Sequence, residues 1–250
     1  EASPSRLAAG QRREKNNAAQ PLRLKTAGQS AKPLAMMHHA FTLGQARLHA
    51  LPSGALYWPD QHLLCVSDLH FGKSERLARR GGALLPPYET RETLARLDAD
   101  LEATAARSVI CLGDSFDDLT AADGLDEADQ LWLLRLMSGR DWIWIEGNHD
   151  AGPITIGGSH RAEVRREGLA FRHIGGGQTP EISGHYHPKA RLAGRSHPCF
   201  LIDAARVILP AYGTYTGGLP SHDPTLCALM QPRALAVLTG RAALAIPMPR

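Results

Sequence analysis

The stretch Trp142-Ile143-Trp144-Ile145-Glu146-Gly147-Asn148-His149-Asp150 joins a short apolar run to four residues of different chemistry. The run is β-branched and aromatic and stops at a turn signal, which predicts a buried strand. Asn148 offers a neutral carbonyl oxygen, His149 a titratable ring and Asp150 a carboxylate, while Gly147 lets the backbone bend. Gly, Asn and Asp also favour ordinary turns. The stretch therefore indicates a functional strand tip only if other strands end in the same way.

Two further apolar runs do end in this way. Residues 62–66 lead into Asp68-Leu69-His70, and residues 108–112 lead into Gly113-Asp114. Leucines at helical spacing predict helices over 89–106 and 126–137, between these strands. Short runs punctuated by Gly and Pro fill the second half and predict mostly strands. This order predicts an α/β fold of two packed sheets with helices outside.

Composition places the folded part after a basic tail. Residues 1–35 hold seven of the 28 Lys and Arg residues but two of the 25 Asp and Glu residues, and they lack apolar periodicity. We predict that residues 1–37 are a disordered basic tail or upstream extension, and that residues 38–250 form one domain. There is no apolar run of about 18 residues and no signal-peptide centre, so we expect a cytoplasmic protein without a membrane span. The four cysteines form no Cys-x-x-Cys pair, which argues against a thiolate zinc site.

Polar clusters in the second half complete a candidate metal site. His173 stands alone, while His185 and His187 form a His-x-His pair inside Gly184-His185-Tyr186-His187. In extended backbone, residues i and i+2 point to one side, so Asp68 with His70, and His185 with His187, could each aim at one point. Taken together, the candidate ligands are Asp68, His70, Asp114, Asn148, His173, His185 and His187.

Seven ligands are too many for one ion, so we predict two divalent ions with Asp114 as the bridging carboxylate. Carboxylate, imidazole and amide ligands without thiolate suit Mn best, with Fe or Zn possible. Two such ions can clamp a phosphate and lower the pKa of a bridging water, whose hydroxide would attack phosphorus. His149 would protonate the leaving group, and Asp150 would hold its imidazole in the right tautomer. The motif Gly-x-Ser-x-Gly is absent, which argues against a serine hydrolase.

These motifs resemble the five ordered motifs of the calcineurin-like metallophosphoesterases, over about residues 40–247. The resemblance implies a four-layer α/β/β/α sandwich of two mixed sheets flanked by helices, and makes residues 38–250 the metallophosphoesterase domain. It assigns one metal to Asp68, His70, Asp114 and His187. It assigns the other metal to Asp114, Asn148, His173 and His185. It also makes His149 the general acid.

A narrower resemblance is to the bacterial DNA-ligase-associated metallophosphoesterases, described as DNA damage response endonucleases. It rests on Asp68-Leu69-His70-Phe71-Gly72-Lys73, on Pro86-Pro87 before a helix, and on Pro210-Ala211-Tyr212-Gly213-Thr214-Tyr215-Thr216-Gly217-Gly218. It implies DNA as substrate, and a DNA ligase and a helicase as partners. Asp117 departs from the subgroup, where we would expect His.

The sequence thus predicts a metal-dependent phosphodiesterase or endonuclease that acts on DNA in repair. Four cations after the first motif could bind flanking phosphates, although a solvated loop explains them equally well. They are Lys73, Arg76, Arg79 and Arg80. Two alternatives stay open: a phosphatase or phosphodiesterase for a small molecule or nucleotide, and a metal-bound scaffold without catalysis in a repair complex. The intact His149-Asp150 pair favours an enzyme.

Overall fold

The computed structural model describes residues 37–74, 88–117, 121, 124–152 and 155–250. The predicted tail lies outside these residues, except for Met37. Most of the basic loop after the first motif lies outside them too, with Arg76, Arg79, Arg80 and the Pro86-Pro87 pair.

The first sheet has seven strands in chain order. Strands β1 to β4 form an antiparallel meander, and β4 to β7 are parallel. Val66 pairs with Cys111, and Cys111 pairs with Trp144, so β4, β5 and β6 end side by side. This edge is where the three sequence motifs emerge. The strands are β1 (His39–Leu43), β2 (Ala46–Ala50), β3 (Leu56–Trp58), β4 (Leu63–Val66), β5 (Ser108–Cys111), β6 (Asp141–Ile145) and β7 (Ser159–Arg161).

The second sheet has eight strands and mixed directions. Along it the order is β15-β14-β12-β13-β10-β9-β8, and β11 pairs with β12. Strand β10 is parallel to both β9 and β13, while the other pairs are antiparallel. The strands are β8 (Val164–Arg166), β9 (Leu169–Phe171), β10 (Glu181–Ser183), β11 (Lys189–Leu192), β12 (Arg195–Ile202), β13 (Arg206–Ile208), β14 (Leu235–Leu238) and β15 (Leu244–Pro247).

In the described part of the chain, three helices cover the sheets: α1 (Glu89–Thr104), α2 (Glu127–Met137) and the short α3 (Pro224–Leu229). Asp126 caps α2, because its side chain accepts from the N–H of Ala128. A 3-10 turn, Pro59–Gln61, joins β3 to β4. No helix in the described part of the chain is long and apolar enough to cross a membrane.

Alternation along the strands builds the layers. In β4, Leu64 and Val66 pack with Leu97 of α1, whereas Leu63 and Cys65 face the second sheet. The outer face of the second sheet packs against α3 in a third cluster. The layers therefore run helix, sheet, sheet, helix, which confirms the predicted α/β/β/α class. The fourth layer is thin, because among the described residues only α3 supplies it.

Candidate metal centre

The candidate ligands occupy strained backbone at the strand ends. Five of them have positive φ: Asp68 (53°), His70 (49°), Asp114 (48°), His185 (72°) and His187 (46°). This region is rare for residues other than glycine, and such strain clusters at functional sites. The sequence pattern predicted extended backbone at the Asp68/His70 and His185/His187 pairs, and this prediction is wrong. Left-handed turns, not strand alternation, bring the side chains together.

The first group consists of Asp68, His70 and His187, whose ligand atoms lie within 4.8 Å of one another. The Nε2 of His187 lies 3.1 Å from Oδ1 of Asp68. These two atoms and Nε2 of His70 are buried and have no hydrogen bond within the part of the chain that the structure describes. Buried polar atoms are normally paired, so three orphaned ligand atoms facing one point fit a cation between them.

Asp117 orients the ring of His70. Its Oδ1 lies 3.1 Å from Nδ1 of His70. A carboxylate only accepts, so Nδ1 carries the proton and Nε2 presents its lone pair to the group. Metal-binding histidines commonly donate their other N–H to a carboxylate in this way. The side chain of Asp117, absent from the predicted site, is therefore part of it.

The second group consists of Asp114, His173 and His185, again within 4.8 Å. Nδ1 of His173 donates to the carbonyl of Leu112 at 2.7 Å, which leaves Nε2 as an acceptor in the neutral ring. Two oxygens and one ring nitrogen lie close to this Nε2: Oδ1 of Asn148 at 2.9 Å, Oδ2 of Asp114 at 3.4 Å and Nδ1 of His185 at 3.1 Å. Lone pairs that converge in this way need a positive charge, which is either a proton on a ring or a metal ion.

The His-x-His pair is divided between the groups, since His187 joins the first and His185 the second. Strand alternation predicted that both side chains point toward one metal, whereas the family resemblance assigned them to different metals. The structure agrees with the resemblance on this division. The N–H of His185 also donates to Oδ2 of Asp68 at 3.0 Å, so the groups adjoin.

The pKa values of the two groups reflect this crowding. Burial by itself would raise the pKa of Asp68, but the ring of His187 beside its Oδ1 outweighs burial and lowers that pKa. Burial likewise opposes the charge of Asp114, yet His173 holds the pKa of that carboxyl far below its ordinary value. The pKa of His173 is lowered by burial and raised more strongly by Asp114. Both carboxylates are thus anionic and able to bind a cation.

His149 lies at the edge of the second group. Its Nδ1 is 3.1 Å from the main-chain carbonyl of Asp117, its Nε2 is 4.0 Å from Oδ2 of Asp114, and a third of its side chain is exposed. A carbonyl only accepts, so Nδ1 carries a proton and Nε2 is the ring nitrogen on the side of Asp114. The ring therefore points an exchangeable position at whatever binds beside Asp114.

Asp150 does not hold the ring of His149, contrary to the sequence prediction. Its carboxylate accepts four backbone N–H groups: those of Gly147 (2.9 Å), Asp114 (3.0 Å), Ser115 (2.7 Å) and Phe116 (3.2 Å). These bonds use all four lone pairs of the carboxylate. Asp150 therefore ties the loop after β6 to the loop after β5.

Close packing explains Gly147. A Cβ at this position would lie 2.2 Å from the backbone nitrogen and Oδ1 of Asp114. The motif needs glycine here because of this approach, and positive φ plays no part. Sequence reasoning also missed Ser67, whose hydroxyl donates to Asp68. Its position directly before the first motif was the available signal.

Of the four cations predicted to bind phosphate, the structure describes Lys73 alone. Lys73 lies directly after the first motif and is half-buried. Arg76, Arg79 and Arg80 lie outside the described residues. Their role stays a prediction.

No family model and no curated protein matches the chain. Among solved structures, the chain is similar to the nuclease MPE of Pseudomonas putida, with 31% sequence identity and a TM-score of 0.65. The match covers 83% of this chain and 100% of the other. This likeness spans a whole solved protein, and the layers agree with a metallophosphoesterase-like fold. The chain therefore belongs to the same family as the Pseudomonas putida nuclease MPE.

Proposed function

We propose that the protein is a dinuclear-metal-dependent phosphodiesterase that cleaves DNA. The observation that carries the proposal is the pair of adjoining Asp/His groups, each with lone pairs converging on one point. The family relative is a nuclease, which supports a nucleic-acid substrate. Mn is our first choice of metal, because the ligands are oxygen and imidazole nitrogen without thiolate.

The residues of the chain fit two divalent ions. Asp68, His70 and His187 would hold one, and His173, His185 and Asn148 the other, with Asp114 reaching both. When bound, such ions neutralise phosphate charge and lower the pKa of a coordinated water. The contacts of His70 with Asp117 and of His173 with Leu112 fix which ring nitrogen faces the ions.

His149 is the proposed general acid. The Asp117 carbonyl holds its Nδ1–H, so a proton on Nε2 is directed at the opening beside Asp114. A leaving alkoxide at that point would take this proton as the phosphorus–oxygen bond breaks. The exposed third of the ring lets solvent restore the proton afterwards.

An assay panel of esters against Mn, Fe and Zn tests the function. We expect turnover of bis-p-nitrophenyl phosphate with Mn and of DNA under the same conditions. Asp114→Asn should lose both metal and activity. His149→Ala should keep metal and lose turnover, mostly with poor leaving groups, because a good leaving group needs no proton. If neither the diester nor its monoester is hydrolysed, the scaffold alternative replaces the enzyme.

The outcome with natural substrates separates the remaining alternatives. Cleavage of nicked, single-stranded or duplex DNA supports the nuclease, and hydrolysis of nucleotides alone supports the small-molecule enzyme. The role in repair and the ligase and helicase partners rest on the sequence resemblance. We further propose that residues 1–35 are dispensable, so a chain starting at Met36 should retain full activity.

A further inference from the structure

A cavity of about 220 Å³ lies beside the metal centre and has no part in the chemistry above. Gly213 and Lys189 form two of its walls. The N–H of Gly213 donates to the carbonyl of Asp68 at 3.0 Å, and Lys189 follows His187 by two residues. Two walls of the cavity are therefore connected to the loops that carry Asp68 and His187, both of the first metal group.

The loop of residues 210–218, which the sequence singled out, lies against these metal-binding loops. A Cβ on Gly213 would lie 2.0 Å from the carbonyl oxygen of Leu69, and one on Gly218 would lie 2.0 Å from that of His187. There is no room for a side chain at either contact. Gly213 and Gly218 are thus explained by packing, whereas the exposed residues of the loop are not.

The charge of the cavity is positive. Arg96 donates to the carbonyl of Tyr212 at 3.0 Å and to the hydroxyl of Thr214 at 3.2 Å, and Lys189 donates to the carbonyl of Thr216 at 3.0 Å. All three hydrogen-bond partners are neutral, but Arg96 also interacts electrostatically with the carboxylate of Asp100. Among the described residues that line the cavity, none carries a carboxylate. Lys189 and Arg96 therefore give this concave site a positive charge that attracts an anion.

Tyr215 lines this cavity and has an unusual backbone conformation. It is an aromatic residue with φ of 58°, and 42% of it is exposed. Left-handed backbone at a residue other than glycine is strained, and it persists at sites where function requires it. The exposed ring gains little burial in return. A flat aromatic surface beside cations is how proteins hold single-stranded nucleic acid.

We propose that the cavity and Tyr215 form a subsite for a nucleotide next to the scissile phosphate. Lys189 and Arg96 take a backbone phosphate, and the ring of Tyr215 stacks on an unpaired base. The cavity is smaller than the roughly 300–1,000 Å³ of pockets that enclose a whole small ligand. The cavity therefore has room for the phosphate alone, and the base lies outside it against the ring of Tyr215. This subsite rests on the proposed function and assigns the residues that hold the flanking nucleotide.

The test compares a single-stranded DNA oligonucleotide with bis-p-nitrophenyl phosphate, which has no flanking nucleotide. Lys189→Met and Tyr215→Leu should each lower the ratio of kcat/KM for the oligonucleotide to kcat/KM for the small diester by about tenfold. Lys189→Arg and Tyr215→Phe should restore the ratio, because they keep the charge and the ring. The KM of Lys189→Met should also respond less to salt, with a slope reduced by about 0.7 for a single strand.

Arg233→Met is the matched control, since Arg233 is exposed and does not line the cavity. It should leave the ratio unchanged. The subsite is overturned if Lys189→Met and Tyr215→Leu keep the wild-type ratio, lose both activities equally, or are not rescued by the conservative variants. Each of these outcomes leaves the proposed phosphodiesterase standing. If the wild-type protein hydrolyses neither substrate, the proposed function fails, and the subsite with it.

Discussion

The carboxylate of Asp117 lies 3.1 Å from Nδ1 of His70 and leaves Nε2 of that ring buried and without a hydrogen bond among the described residues. The main-chain carbonyl of the same aspartate lies 3.1 Å from Nδ1 of His149. One residue thus positions a candidate ligand through its side chain and the candidate acid through its backbone. A substitution at Asp117 separates these contacts, because it changes only the first.

Asp117→Asn should weaken metal binding while it leaves the contact to His149 in place. Loss of a partner that orients a metal-binding histidine typically costs about 10–100-fold in metal affinity. Titration calorimetry with Mn²⁺ measures this change. Asp126→Asn, at the exposed start of α2, serves as the control and should bind metal as the wild type does. Equal affinity in Asp117→Asn and wild type would mean that the contact has no part in binding.

Asp150→Ala should destabilise the fold. The substitution leaves four backbone N–H groups without their acceptor, and each buried unpaired donor costs about 1–3 kcal/mol. We expect a loss of at least about 3 kcal/mol in the free energy of unfolding, measured by urea denaturation of the metal-free protein. Asp126→Ala removes an exposed capping bond and an exposed ion pair with Arg91, and should cost only about 1 kcal/mol. If the two variants are equally stable, the four-bond account of Asp150 is wrong.

Gly147→Ala should prevent the metal centre from forming, because the new Cβ would overlap the backbone nitrogen of Asp114. The backbone at both positions would have to shift, at a cost of more than about 4 kcal/mol. Gly217→Ala is the control, since its Cβ would meet nothing within 4 Å. Thermal unfolding of both variants decides the matter. A native-like melting temperature in Gly147→Ala would contradict the packing described for the two loops.

Two aspartates of α1 should give stability profiles of opposite slope with pH. Burial raises the pKa of Asp100, so its contribution is present below its unfolded pKa and is lost as pH rises through the folded value. Burial is outweighed at Asp98 by hydrogen bonds from Arg135 and Trp132, which lower its pKa. The contribution of Asp98 is therefore present above its unfolded pKa and is lost as pH falls.

The measurement is the difference in unfolding free energy between variant and wild type from pH 3 to pH 7. The stability of Asp100→Asn relative to the wild type should increase as pH rises, because the amide carries no charge. The amide oxygen can still accept from the hydroxyl of Tyr212, which donates to Asp100 at 2.8 Å in the wild type. Asp98→Asn should fall behind the wild type over the same range. Parallel profiles for the two variants would contradict the opposite pKa directions.

The sequence predicted the layers well because they follow from short-range patterns. Helical spacing of leucines indicates α1, and short apolar runs indicate β4, β5 and β6. Parallel pairing then puts the ends of these strands at one edge of the sheet. The short β1 and β7 and the six-residue α3 were not predicted. Their residues carry too few periods, and α3 forms under the packing of Leu226 against the second sheet.

The candidate site was predicted by residue type and not by contact. Asp68 and His70 were placed correctly beside each other for the wrong reason, since the backbone there is left-handed. Asp150 was paired with its sequence neighbour His149, whereas its partners come mainly from residues 114–116, which are distant in sequence. Contacts of this kind depend on how two loops meet, which no local pattern encodes.

The central claim is that two bound metal ions make this protein a phosphodiesterase. The most direct test measures turnover of bis-p-nitrophenyl phosphate against the number of Mn²⁺ ions bound per chain, starting from metal-free protein. The account predicts no turnover without metal and a rise that reaches its plateau at two ions. Turnover by the metal-free protein, or none at two bound ions, would contradict it.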